Sequence, residues 1–345
     1  MGSDSEFGFE LRVCQWAERA WPPGSDRDGP ILVARQLGTK RRRWDTIVVE
    51  CDPAGLRQRA EFGRQRLDSN LRHVLANAPD DWQYYRDALP DPGYPWRYVR
   101  EAIHTAADRG VVDRRKRGNR IEIRQRYAFP EWVRRIVAIE NKPDLDASAA
   151  RSLAPQLERD VALGLADEVW VATERTGERV EPILLEDLPS AVGVLTVDSS
   201  TSRGETAWFP QSLAVDDPGT RIVDRPEDDL SAARFEYADP EWKANKRRDI
   251  AERAYERGWR AYVDSMRPDC RQFRLRSCDG SVVPYCGAKE CTPTPAQCRH
   301  ACDDREPEPP AWRTRGWPID GGPGAGVRRL LVRQRRRQRP GLDPE

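Results

Sequence analysis

Hydrophobic positions along this chain switch between helical and strand periods, and the order of the switches predicts its elements. Over Glu6 to Ala20, the residues Phe9, Val13, Trp16 and Ala20 recur at spacings of three and four. That is one face of a helix, which Trp21-Pro22-Pro23-Gly24 stops. Ile31 to Leu37 and Trp44 to Cys51 are apolar runs of strand length, the second closed by Asp52-Pro53. Residues 54 to 90 read as mostly helical with arginine-rich faces, up to the break Pro90-Asp91-Pro92-Gly93. Helical spacing returns from Trp96 to Ala107, with Val99, Ile103 and Ala106 on one side. A hairpin follows, turning at Gly118-Asn119, in which Ile121 and Ile123 alternate with polar neighbours.

Arg134 to Asn141 is an apolar run suited to a buried strand, as are Glu168 to Thr173 and Val192 to Val197. Between them Ala147 to Leu165 predicts a helix despite Pro155. Residues 199 to 232 lack a period and predict loop, and Trp242 to Asp264 predicts a charged helix. Asp269 to Asp304 is rich in cysteine. Beyond it, proline, glycine and the ending VRRLLVRQRRRQR predict a mobile tail. The modules expected are an α/β core in two parts (1–53 and 131–198), an insertion (54–130), a loop and charged helix (199–268), a cysteine-rich element (269–304) and the tail (305–345).

Composition alters this picture in three places. The charge balances to +1 with 33% charged residues, so any basic surface must come from local clustering. Lysine is scarce, with Lys40, Lys116, Lys142, Lys243, Lys246 and Lys289 the complete set, which makes a lysine beside other chemistry informative. No apolar run approaches the roughly 18 residues a membrane span needs, and the start MGSDSEFGFELRV lacks the regions of a signal peptide, so a cytoplasmic protein without a membrane is expected. In that compartment eight cysteines argue for a metal or free thiols over disulfides.

Glu140 and Lys142 stand two apart at the end of an apolar strand, so both side chains leave one face. Asp45 begins the earlier strand. If those strands pair, Asp45 and Glu140 can hold a divalent cation by hard oxygen ligands, with the Asn141 carbonyl as a third. Mg²⁺, or Mn²⁺, held there would polarise a phosphodiester and lower the pKa of a bound water, while Lys142 orients that water or neutralises charge on phosphate. Glu140 and Lys142 also allow a blander reading as a surface ion pair.

The order helix, strand, Asp strand, Glu-x-Lys strand, helix, strand resembles the PD-(D/E)XK nuclease superfamily, matched here by Asp45 and by IENK at Ile139 to Lys142. The resemblance covers roughly residues 6 to 198 and implies an α/β restriction-endonuclease-like core sheet flanked by helices. It implies catalytic or auxiliary roles for Gln156, like the later glutamine of RecB-like branches, and for Glu10, where some resolvase-like branches place a further acid. Because 95 positions separate Asp45 from Glu140, the insertion must fold out as its own module. The whole chain also resembles an uncharacterised haloarchaeal family of unknown function, which implies no activity.

Helix 96–107 and its basic hairpin resemble a winged helix-turn-helix. That implies DNA as a partner, with Arg97 and Arg100 on the helix and Arg114, Arg115, Lys116, Arg117 and Arg120 on the wing. A solvated hairpin in an arginine-rich chain is the alternative. Cys270, Cys278, Cys286, Cys291, Cys298 and Cys302 lie within one stretch, with His300 among them. Cys298-x-x-x-Cys302 has metal-ligand spacing, and with Cys270 and Cys286 it makes up the set favoured for Zn²⁺. The resemblance to RecB-like nucleases keeps open an iron–sulfur cluster that includes Cys14, and unligated thiols are the plain alternative. The activity expected is Mg²⁺-dependent hydrolysis of DNA phosphodiesters. Its rivals are a non-catalytic winged-helix regulator on an inactive nuclease scaffold and a metal-stabilised scaffold for protein partners.

Overall fold

The computed structural model describes residues 6–26, 28–40, 42–175, 186–198, 203–224, 234–278, 281–299, 302–313 and 322–337. In chain order the elements begin α1 (Glu6–Ala20), β1 (Ile31–Gly38), β2 (Arg43–Cys51), α2 (Pro53–Glu61), α3 (Ser69–Asn77), β3 (Gln83–Tyr84), α4 (Tyr85–Ala88) and α5 (Trp96–Asp108). They continue with β4 (Val112–Arg117), β5 (Arg120–Gln125), β6 (Val133–Asn141), α6 (Ala147–Leu163), β7 (Glu168–Glu174), β8 (Gly193–Val197) and β9 (Gly204–Trp208). The last are β10 (Gly219–Asp224), β11 (Arg234–Ala238), α7 (Pro240–Arg257), β12 (Phe273–Cys278), β13 (Ser281–Cys286) and α8 (Gly322–Arg337).

One six-stranded sheet, in the order β1-β2-β6-β7-β8-β9, forms the centre of this mixed α/β fold. β1, β2 and β6 are antiparallel neighbours, β6, β7 and β8 run parallel, and β9 closes the edge antiparallel to β8. The apolar runs of β2, β6 and β7 are buried on both faces, as crossover helices on a parallel sheet require. Val48, Val137, Ile139 and Trp170 pack with α1 and the 3-10 turn Trp259–Ser265. Ile47, Val49, Ile136, Ala138 and Val171 pack beneath α6 and α7, through Leu157, Leu163, Ile250 and Tyr255. Each fully buried valine, leucine or isoleucine among them contributes about 1.5–3 kcal/mol by leaving water.

The insertion keeps its own core, in which Leu71, Val74, Leu75, Val99, Ile103, Val112 and Ile123 are buried together. Its order is α3, β3, α4, α5, then the β4–β5 hairpin, with β3 added to give the sheet β3-β5-β4. Both ends of the insertion meet at the core. Cys51 pairs with Val133, Asp52 N–H donates to Trp132 O at 2.9 Å, and Gly55 is pressed so near that a Cβ would lie 2.3 Å from Glu131 O. A fully buried ion pair, Arg59 with Glu252 at 2.6 Å, ties α2 to α7, and Arg59 also lies over the Tyr255 ring.

Three predictions need correction. Part of the stretch read as loop forms β9 and β10; the alternation failed to reveal β9 because that edge strand is only half covered by the core. The charged helix ends at Arg257, where Gly258 breaks it, and continues as the 3-10 turn. The tail carries α8, which is docked: Leu331 is buried with Val327 against the α1 side of the core, and Arg328 Nη2 donates to Met266 O at 3.3 Å. Two apolar residues four apart suffice to seat a helix otherwise dense in arginine. The tail positions 314–321 and 338–345, and the loop positions 199–202 and 225–232, lie outside the described residues. No helix among the described residues is long and apolar enough to cross a membrane.

Candidate active site

The β2–β6 ladder runs down to Thr46 opposite Ile139, so the next couple outward is Asp45 opposite Glu140. Opposed residues of an antiparallel pair share a face with Cβ atoms about 4.5–5.5 Å apart. Asp45 is fixed by accepting the Asn141 N–H at 3.0 Å through Oδ2 and the Gln36 side-chain amide at 2.9 Å through Oδ1. The same amide reaches Glu10 Oε1 at 3.0 Å, so Gln36 links the α1 acid to the β2 acid. Glu10 is also held by Arg35, at 3.0 Å and 2.6 Å. Gln36 sits at φ 53, a left-handed conformation uncommon outside glycine and asparagine, where such strain clusters at functional positions.

Glu140 has two neighbours besides Asp45. Gln156, on α6, lies near enough to lower its pKa, and Arg42 Nη2 donates to its Oε2 at 2.9 Å. Burial and then the Asp45 charge push the Glu140 carboxyl up to about 7, against the opposing pull of Arg42 and Gln156. Burial likewise raises Glu10, against Arg35 and Gln36, and raises Asp160, against Arg42. Asp160, one turn beyond Gln156 on α6 and 1% exposed, takes the Arg42 guanidinium by Nε at 2.8 Å and Nη2 at 2.6 Å. Burial works against the Arg42 cation, but Asp160 and Glu140 together raise its pKa.

The fold therefore gathers Glu10, Asp45, Glu140 and Gln156. Lys142 follows the end of β6, with its N–H on Ala172 O and its ammonium 3.7 Å from Asp144 Oδ1. The cation on Glu140 is Arg42. The residues missed in the sequence are Gln36, Arg42 and Asp160. The adjacent polar pair Arg35-Gln36 within an apolar strand, and the four-residue step from Gln156 to Asp160, were usable signals; Arg42 left none.

By donor chemistry, two carboxylates held opposite one another on a partly buried sheet end fit a hard divalent cation. Asn141 Nδ2 donates to Thr46 Oγ1 at 3.1 Å, while Asn141 Oδ1 is buried without a hydrogen-bond partner. Among the described residues no three His, Cys, Asp or Glu side chains are grouped so as to hold a metal ion.

The profile of DUF5787, a family of unknown function, matches residues 32–307. The chain belongs to that family. The matched stretch contains Asp45, Glu140, Lys142, Gln156, Asp160 and the late cysteines, and begins after Glu10 and Cys14. No curated protein and no solved structure matches the chain.

On the insertion, strand alternation divides the basic residues. Arg115 is salt-bridged to Glu122 at 2.6 Å and lies over the Trp82 ring at 4.3 Å. Arg117 stands 3.9 Å from Glu122, and Arg120 lies over Tyr84 at 5.1 Å. Arg114 leaves the other side and contacts the His104 ring. Arg97 stacks on Tyr98, whereas Arg100 and Lys116 are exposed and have no acidic partner among the described residues.

Cys270, Cys286, Cys298 and Cys302 line one cavity of about 20 Å³, beside Arg267 and Phe273. Cys298 Sγ accepts the Arg267 N–H at 3.5 Å, and burial first, then the other three thiols, raise its pKa. Cys291 is bridged to Cys286 through its backbone. Cys14 is buried elsewhere, between α1 and β2, 3.3 Å from Thr46 Oγ1. The side chain of Cys278 and the whole of His300 lie outside the described residues.

Proposed function

We propose that this protein is a cytoplasmic, Mg²⁺- or Mn²⁺-dependent nuclease of the PD-(D/E)XK type acting on DNA. The observation that carries the reading is Asp45 facing Glu140 across β2 and β6, with Gln156 beside Glu140. Asp45 and Glu140 would bind the cation with the Asn141 carbonyl. When bound, that ion supplies Lewis-acid polarisation of the phosphodiester and a water acidified enough to attack it. Gln156 orients Glu140. Glu10, acting through Gln36, positions Asp45. Lys142 swings from Asp144 to neutralise charge on the phosphate.

The insertion, with α5 followed by β4–β5 and β3 added at the edge, supports a winged helix-turn-helix that presents duplex DNA. The late cysteines support a structural Zn²⁺ on Cys270, Cys286, Cys298 and Cys302, which would fold a segment too polar to build a core. One observation favours the rival reading, a DNA-binding regulator on an idle nuclease scaffold: Arg42 already neutralises Glu140.

Cleavage assays on duplex, single-stranded and branched DNA with Mg²⁺ or Mn²⁺ separate the two. Wild type should cut, and Asp45→Asn and Lys142→Ala should bind without cutting. Binding with no cleavage by wild type selects the regulator, and no nucleic-acid binding at low salt removes both.

A further inference from the structure

Arg42 places a protein cation on Glu140, one of the two opposed carboxylates that would accept a metal ion. Its Nη1 donates to Arg43 O, and its two carboxylate contacts are unequal. Asp160 takes a fork of Nε and Nη2, the stronger arrangement for a guanidinium. Glu140 takes only a share of Nη2, at 2.9 Å. The anchor is rigid, since Asp160 is buried on α6. The backbone of Arg42 is hydrogen-bonded as well. It closes the β1–β2 turn through Thr39 N–H to Arg42 O at 2.6 Å and Arg42 N–H to Thr39 Oγ1 at 3.0 Å. Gly38 admits this turn, since a Cβ there would meet Arg42 O at 2.2 Å. The guanidinium can therefore leave Glu140 by a small side-chain rotation without leaving Asp160.

We propose that Arg42 is the resident counter-cation of the Asp45–Glu140 pair, holding Glu140 while no divalent ion is bound and withdrawing onto Asp160 when one binds. The inference rests on the metal-dependent reading above. Two cations compete for one Glu140 oxygen, so the guanidinium lowers the apparent affinity for the divalent ion by the fraction of time it occupies that oxygen. Gln156, which is neutral, has no such conflict and stays beside Glu140 in both states. The arrangement leaves no bare carboxylate pair in the metal-free protein, because one charge-assisted contact is exchanged for another.

The test is calorimetric titration of the full chain with Mn²⁺ at pH 8. It compares wild type with the double variant Arg42→Gln, Asp160→Asn, which removes the guanidinium without stranding Asp160. The double variant should bind about tenfold tighter. Equal or weaker binding overturns the proposal and leaves the nuclease reading standing. Failure of both proteins to bind Mn²⁺ removes the metal reading and this inference together. Should the variant not fold, wild-type crystals soaked in Mn²⁺ decide. The Arg42–Asp160 fork should persist while the Arg42–Glu140 contact opens beyond about 3.5 Å. An ion bound on Glu140 with that contact intact also overturns the proposal.

Discussion

Asp45 and Glu140 are cross-strand partners one step beyond the last paired couple of β2 and β6, and their charges act on each other in a partly buried site. The pH dependence of stability follows. Glu140 titrates at about 7, raised by burial and by Asp45 from the ordinary 4.5, so between these values the folded chain holds a proton the unfolded chain has lost. Its stabilising contribution is complete below about pH 4.5 and is lost as pH rises through 7. Glu140→Gln should remove that loss, so the variant should gain about 1–3 kcal/mol over wild type at pH 8 compared with pH 4.5. Thermal melts at both pH values would measure it; the same difference at each pH would refute the electrostatic account.

The Arg59–Glu252 pair should matter far more for stability than the surface ion pairs. Arg59 is 0% and Glu252 2% exposed, and Glu252 also accepts the Leu67 N–H at 2.8 Å. Glu252→Ala strands a buried guanidinium and should cost about 3–5 kcal/mol in urea unfolding. Truncating Glu131, which pairs with Arg248 at the surface, should cost about 0–1 kcal/mol.

Exposure and pairing rank the basic residues for DNA binding. Replacing Arg100 and Lys116 with Ala should each lower the salt slope of duplex binding by ~0.9, with little change in sequence preference. Arg115→Ala should change it less, because Arg115 is already engaged by Glu122 and Trp82. Equal slopes for all three would show that the hairpin is rearranged on DNA.

Metal analysis of purified protein should find about one zinc per chain. Cys298→Ser should remove it and lower the melting temperature, since Cys298 lines the cavity with the other three and packs on the core. Cys291→Ser, which does not alter the cavity lining, should retain the metal. Full zinc in the Cys298 variant would reassign the site, and visible absorbance would indicate an iron–sulfur cluster instead.

Burial patterns made the central strands legible. Val133–Asn141 and Glu168–Glu174 are apolar because both sheet faces are covered, and that composition is what a linear reading detects. The opposition of Asp45 and Glu140 was legible once those strands were paired. Arg42 and Asp160 were not. Arginine supplies nearly all the positive charge, so one more in a turn carries no information, and a single aspartate on an amphipathic helix looks solvated until the turn folds over it. The edge strand β9 and the docked helix α8 escaped for a related reason, since β9 buries no apolar residue in the core and α8 commits only Val327 and Leu331.

The pairing of Cys51 with Val133 means that the chain leaves and rejoins the central sheet through a single doorway. From the standpoint of the sheet, residues 52–132 are a long way round a hairpin that a tight turn could have made. The stem from α2 to Leu67 is soldered to the rest by Arg59 and Glu252, and the returning end by Glu131 on Arg248 and by Trp132 against Tyr255. A lineage could thus exchange the fold between Leu67 and Glu131 without redrawing a strand of the central sheet.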